Sequence, residues 1–259
     1  MPRFAANLSM LFNEVDFLDR FEAAASAGFK GVEYLFPYDY PAAELKSRLD
    51  KVGLTQVLHN LPAGDWAAGE RGIACHPDRV NEFRTGVDKA IEYANTLDCR
   101  QLNCLAGILP AGVDAAEART TFIENLTWAG ERLKTAGITL LIEAINTRDI
   151  PGFFLNGTQQ ALDIIHATGS SNIKLQYDIY HMQIMEGDLA PTIEKHLPMI
   201  RHLQIADNPG RHEPGSGEIN YGFLFDFLDR TGYDGWVGCE YKPAGTTIDG
   251  LTWASKFLS

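Results

Sequence analysis

Along the chain, short apolar runs alternate with longer segments whose apolar positions recur every three or four residues. The runs suit strands buried on both faces, and the longer segments suit amphipathic helices. Strands are predicted over residues 4–8, 31–36, 54–59, 100–105, 137–146, 173–177, 200–206 and 236–240. Helices are predicted over 14–27, 41–52, 78–97, 114–136, from 156–158 to about 169, over 188–197 and 221–231, with a short one near 247–258. Punctuation supports the boundaries: Pro37 closes the second strand, Pro41 opens the second helix and Gly53 ends it. Eight strand–helix units without a linker of changed composition imply a parallel sheet. Units of about 30 residues fit an α/β, (β/α)8 TIM barrel as one domain over residues 1–259. An open doubly wound sheet would call for a glycine-rich phosphate turn after the first strand, and Asn7-Leu8-Ser9-Met10 offers none.

The stretch 137–146 organises the chemistry. Its Ile and Leu run ends on Glu143, and a carboxylate there is costly to bury unless something pairs with it. In a parallel barrel that end of the strand is the ligand-binding lip. Strand six leads into Asp178, strand seven carries Gln204, and strand eight ends in Glu240. Alternation aims them: Val237 and Cys239 share one face of strand eight, while Trp236, Gly238 and Glu240 share the other. In strand seven Leu203 and Ile205 face the helices, so His202 and Gln204 face the axis. Four neighbouring strands thus offer oxygen donors at one lip, a set suited to one hard divalent cation, Mg²⁺ or Mn²⁺. Three crowded carboxylates would repel one another, and a dication leaves one net negative charge.

A lone strand-end Glu is as often an ion-paired or capping residue as a functional one; the four together carry the functional reading. His181, three residues after Asp178, and Arg211 and Lys242 on adjacent loops are candidates for holding an anionic substrate. His59 at the end of strand three and Arg71 in the long loop 62–77 are further candidates, against the plain readings of a hydrogen-bonded lip histidine and a loop arginine. His202 and Cys239 read as structural, and Asn103 as a polar lip residue. The aromatic stretch 34–40 either walls the pocket or packs strand two.

Composition narrows the partners. The net charge of −12 argues against a nucleic-acid partner, which needs Lys and Arg against phosphates. No run of eighteen apolar residues is present, so no membrane partner is expected. The first ten residues lack the pattern of a signal peptide, and Cys75, Cys99, Cys104 and Cys239 show no CxxC spacing. A cytoplasmic protein with reduced thiols is expected. The oligomeric state is left open, a homo-oligomer included.

The segments Gly31-Val32-Glu33-Tyr34-Leu35-Phe36-Pro37-Tyr38, Leu141-Ile142-Glu143-Ala144-Ile145-Asn146, Tyr177-Asp178-Ile179-Tyr180-His181, the loop from Gln204 to Gly215 and Glu240-Tyr241-Lys242-Pro243 resemble the hydroxypyruvate isomerase family. That family includes 2-oxo-tetronate isomerases and lies within the xylose-isomerase-like barrel superfamily. The resemblance covers the whole chain, and the loop after strand seven is its most specific part. It implies metal ligation by Glu143, Asp178, Gln204 and Glu240, with Glu143 and Glu240 as the catalytic acid–base pair. The implied reaction interconverts a 2-keto-3-hydroxy acid with its 2-hydroxy-3-oxo isomer through an enediolate. Three rivals are carried. Ketose 3-epimerases have His where this chain has Gln204. An endonuclease-type phosphodiesterase would want histidines where Asn103 and Gln204 stand. A ligand-binding barrel would bind without turnover.

Overall fold

The computed structural model describes residues 1–258. The apolar runs form eight strands: β1 Arg3–Asn7, β2 Gly31–Glu33, β3 Thr55–Asn60, β4 Gln101–Cys104, β5 Thr139–Glu143, β6 Ile173–Asp178, β7 Ile200–Ile205 and β8 Trp236–Cys239. They pair in sequence order, all parallel, and β8 returns to β1 to close the barrel. The helices are α1 Arg20–Ser26, α2 Ala42–Val52, α3 Val80–Leu97, α4 Ala115–Thr135, α5 Thr158–Thr168, α6 Ile179–Met185, α7 Leu189–His196 and α8 Tyr221–Thr231. The (β/α)8 expectation therefore holds.

Strand alternation sorts each strand's residues between two regions. On β5, Leu140 and Ile142 join the large apolar layer beneath the helices, whereas Leu141 joins a small cluster inside the barrel with Ala5, Val57, Leu58 and Trp236. Glu143, two residues beyond Leu141, therefore points to the interior. Gly31 is required here, because a Cβ would come within 2.8 Å of Trp236 and of Val57. Above this apolar floor the interior turns polar, with Asn7, Glu33, Asn103, Gln176, His202 and Gln204 all buried. Buried polar groups persist only when paired. Here they bond one another: Gln176 Nε2 donates to Gln204 Oε1 at 2.7 Å, and Asn103 Nδ2 donates to Glu143 Oε2 at 2.9 Å.

The first helix begins at Arg20, after a 3₁₀ turn Phe17–Asp19, and not at residue 14, and β5 is shorter than 137–146; three further features also differ from the sequence pattern. β2 stops at Glu33, because the β2–β3 register shifts between Val32 and Glu33 and Tyr34 leaves the sheet to pack edge-on against Phe17 and Phe21. An extra helix, α6, follows β6 directly, since the Asp178 carboxylate accepts from the backbone N–H of Tyr180 (2.8 Å) and His181 (3.2 Å) and so caps a new helix. The C-terminal segment is a 3₁₀ stretch, Asp249–Ala254, and not a full α-helix.

Candidate active site

The lip of the barrel holds a cavity of about 80 Å³ lined by Glu143, Gln176, His181, Arg211 and Glu240, together with Trp66 and other apolar side chains. A larger hollow of about 660 Å³ along α4, at Trp128 and Thr135, is a shallow surface feature. Glu143, Asp178, His181 and Glu240 each place a ligating atom within 4.8 Å of the others, and all four are buried. Strand register explains the convergence: Glu143 pairs with Gln176 on β6, Asp178 with Gln204 on β7, and Gln204 with Gly238 on β8.

Three carboxylates in so small a volume are electrostatically unfavourable. Burial, followed by the charges of Glu240 and Asp178, pushes Glu143 well above the usual carboxylate range. Burial raises Asp178 and pushes Glu240 up to about 8. Arg211 supplies the local countercharge. Its Nη2 lies 2.5 Å from Glu240 Oε2 and 3.8 Å from Asp178 Oδ2. Burial works against its charge, but the carboxylates of Glu240, Asp178 and Glu143 prevail and raise its pKa. The Arg211 guanidinium also sits 5.2 Å over the Tyr180 ring, and the Tyr180 hydroxyl donates to Asp149 Oδ2 at 2.8 Å. The backbone at Arg211 is left-handed, φ 58°, a conformation non-glycine residues keep only when their surroundings enforce it. Lys242 N–H donates to the Arg211 carbonyl (2.8 Å), and buried Asp207 accepts from the N–H groups of Asn208, Gly215 and Ile219, tying the whole loop down.

His181 has its tautomer set by neighbours. The N–H of Asp149 donates to Asn146 Oδ1 at 2.7 Å, which turns Asn146 Nδ2 toward Asp149 Oδ2 (3.1 Å) and His181 Nδ1 (2.6 Å). Nδ1 is thus the acceptor, and the ring proton belongs on Nε2. Nε2 lies 3.5 Å from Asp178 Oδ2 and 3.9 Å from Glu143 Oε1. Burial and the Arg211 charge hold the imidazole pKa well below its usual value, so the ring is neutral. A neutral ring with its proton aimed into the cavity is a hydrogen-bond donor.

The donor set suits a cation. Asp178 Oδ2 is buried and accepts no hydrogen bond, and beside it the cluster offers carboxylate oxygens of Glu143 and Glu240, which are hard donors, and a His181 ring nitrogen. Gln204 adjoins this group, with its carbonyl oxygen accepting from Gln176.

Not every residue singled out in the sequence reaches the cavity. His59 is fully buried with its ring edge-on to Tyr38, which in turn packs on Tyr93 of α3, and burial drives its pKa down to about 4. The next residue, Asn60, lines the cavity instead. The side chain of Lys242 is exposed, and only its backbone braces the Arg211 loop. Arg71 stacks 4.2 Å over Trp66 and donates to the carbonyls of Trp66 and Glu70, so it supports a wall residue. His202 is buried against Glu33, and Cys239 is buried in the outer apolar layer, as their structural reading required. Asn146, Gln176 and Glu33 had not been singled out. Asn146 closed the strand-five stretch, three residues past Glu143, and Glu33 shares a face with Gly31.

Residues 21–257 match the family model described as xylose isomerase-like TIM barrel. The chain is 57% identical to hydroxypyruvate isomerase of Escherichia coli over 99% of its length and 100% of that protein's. It is 51% identical to 2-oxo-tetronate isomerase of Cupriavidus necator over 100% of its length and 99% of that protein's. A solved structure from Brucella melitensis, described as an AP endonuclease, family 2, superposes with a TM-score of 0.97 at 51% identity, covering 99% of both chains.

Proposed function

The chain belongs to the xylose isomerase-like TIM barrel family, and from that premise we propose that it interconverts a small 2-keto-3-hydroxy acid with its 2-hydroxy-3-oxo isomer. It is an enzyme, an isomerase like its full-length relatives, and substrates of the hydroxypyruvate or 2-oxo-tetronate type follow from the activities named for them. The observation that carries this reading is the cluster of Glu143, Asp178 and Glu240 beside a cavity of about 80 Å³ that Glu143, Glu240 and Arg211 line. Glu143, Asp178, Glu240 and the carbonyl of Gln204 would hold one divalent cation, Mg²⁺ or Mn²⁺. Such an ion supplies Lewis-acid polarisation of the substrate carbonyl and its neighbouring hydroxyl.

The protein's own groups do the rest. Arg211, the one Lys or Arg among the described lining residues, holds the substrate carboxylate, drawing its guanidinium from Glu240. One lip glutamate removes the proton from the hydroxyl-bearing C3, leaving an enediolate across C2 and C3. The same or the opposite glutamate returns a proton to C2 while the hydroxyl proton passes from the C3 oxygen to the C2 oxygen, so the carbonyl ends on C3 and the hydroxyl on C2. His181 Nε2–H donates to the oxygen on which negative charge develops. The apolar wall at Trp66 keeps water from competing for the proton. Four free, buried cysteines suit a reducing cytoplasmic setting.

A phosphodiesterase is the second reading, favoured by the description of the Brucella structure. Against it, His181 is the one imidazole in the cluster among the described residues, and its lone pair is taken by Asn146. The deciding experiment follows three- and four-carbon 2-keto-3-hydroxy acids by NMR with Mg²⁺ or Mn²⁺. Interconversion that stops with chelator and returns with metal is expected. No turnover of either acid, together with cleavage of abasic-site DNA, would replace the isomerase reading with the phosphodiesterase one.

A further inference from the structure

Glu33 is a buried carboxylate that the reaction above does not use. It ends β2 inside the barrel and is 1% exposed. Three side chains donate to it: Asn7 Nδ2 at 3.0 Å and Gln204 Nε2 at 2.7 Å to Oε1, and His202 Nε2 at 2.6 Å to Oε2. The fold leaves space for this group, since a Cβ on Gly238 would approach both carboxylate oxygens to 2.4 Å. An ionised carboxylate only accepts hydrogen bonds, so Gln204 must turn its NH2 toward Glu33. Its carbonyl oxygen is thereby left on the other side of the amide, one hydrogen bond from the cavity-lining Gln176. The same logic orients Asn7, whose Nδ2 also reaches Glu240 Oε1 at 3.4 Å. Oxygen, and not nitrogen, is the amide atom that ligates a hard cation.

We propose that Glu33 is a positioning residue for the cation site: by accepting from Gln204 it fixes the amide so that the oxygen is presented as a ligand. Glu33 touches neither substrate nor ion and acts through the groups that do. The proposal rests on the cation site described under the proposed function. Partners that orient a metal ligand typically change affinity by about 10–100-fold when removed.

The test is calorimetric titration of Mn²⁺ into chelator-treated protein, without substrate, for the unchanged chain, Glu33→Gln, Gln204→Ala and the double variant. Glu33→Gln can offer Gln204 either an oxygen or an NH2, so it no longer dictates the flip. An affinity loss of about 10–100-fold is expected for Glu33→Gln, with little further loss when it is added to Gln204→Ala. Affinity within twofold of the unchanged chain, or a loss carried in full into the Gln204→Ala background, would overturn the role of Glu33 alone. Absence of Mn²⁺ binding by the unchanged chain would overturn the cation reading itself, and the proposal with it. Glu33→Asp, which shifts the acceptor by one methylene, carries the same cycle when Glu33→Gln does not fold. A loss that persists unchanged in its Gln204→Ala background overturns the assignment.

Discussion

Glu143 and Glu240 line the same cavity, and burial presses both toward the neutral form. In the proposed reaction they form the acid–base pair that moves the proton. Glu240→Gln is expected to abolish exchange of the substrate's carbon-bound hydrogen with solvent, lowering turnover by about 10²–10⁴-fold. Exchange at the unaltered rate would remove Glu240 as the essential base. His181 supplies a second test at this scale. Its proton is assigned to Nε2 because Asn146 donates to Nδ1. Nitrogen-15 NMR should therefore show the Nε2-protonated neutral tautomer, and Asn146→Asp, whose carboxylate only accepts, should draw a proton onto Nδ1. An Nδ1-protonated neutral ring in the unchanged chain would contradict the donor role. Glu143 was legible in the sequence because an apolar strand seldom ends on a charge without a reason. His59 misled because β3 presents Leu58 and Asn60 inward, and the shifted β2–β3 register hides that parity. Glu33 was illegible because a three-residue strand shows too little alternation to assign a face.

The junction of β6 and α6 combines two functions in one side chain. Asp178 contributes a carboxylate to the cluster and caps α6 through the N–H groups of Tyr180 and His181. The cap places His181 in the first turn, facing the carboxylates. Asp178→Asn and Asp178→Ala separate the two contributions. Both remove the charge and should eliminate cation binding, but Asn remains a good cap while Ala is a poor one. The Ala variant should melt about 2–4 °C below the Asn variant, corresponding to about 1 kcal/mol. Equal melting temperatures would mean that the cap contributes nothing to stability. The sequence pattern predicts β6 and the later helix, but no helix on the Asp-Ile-Tyr-His segment. The capping Asp was the available signal, obscured because a carboxylate at that place also suits a ligand. The loop 62–77 was partly legible. Its length drew attention to Arg71, but the loop's contribution to the cavity is Trp66, over whose ring Arg71 stacks.

Across the whole barrel, the eight strand–helix units were readable because each strand's apolar run is distinct from the helical periodicity around it. The polar interior above the Trp236 floor was not, because its pairs span the closed sheet: Glu33 meets His202 and Gln204 from the opposite side of the barrel. This interior has a consequence for stability. Glu143, Asp178 and Glu240 have folded-state pKa values raised above their ordinary ones. A raised carboxyl pKa means that the folded chain binds protons more tightly than the unfolded one. That contribution is present below the unfolded pKa and is lost as pH rises through the folded value, near 8 for Glu240. The chelated protein should accordingly lose melting temperature between about pH 5 and pH 9, so far as these groups govern it. Mn²⁺ at about a hundred times its dissociation constant should restore roughly 5–10 °C at pH 8, and less at pH 5, where protons compete for the ligands. A metal-induced shift that is larger at pH 5 would contradict that linkage.

Transfer of a proton between C3 and C2 by a lip carboxylate is most directly tested by running the isomerisation in deuterated water and locating the label by NMR. A carboxylate that exchanges its proton with solvent deposits deuterium at C2 of the 2-hydroxy-3-oxo product. Product formed with no deuterium at C2 would contradict transfer through a carboxylate that exchanges with solvent, and would leave direct hydride transfer or a shielded return by a single base.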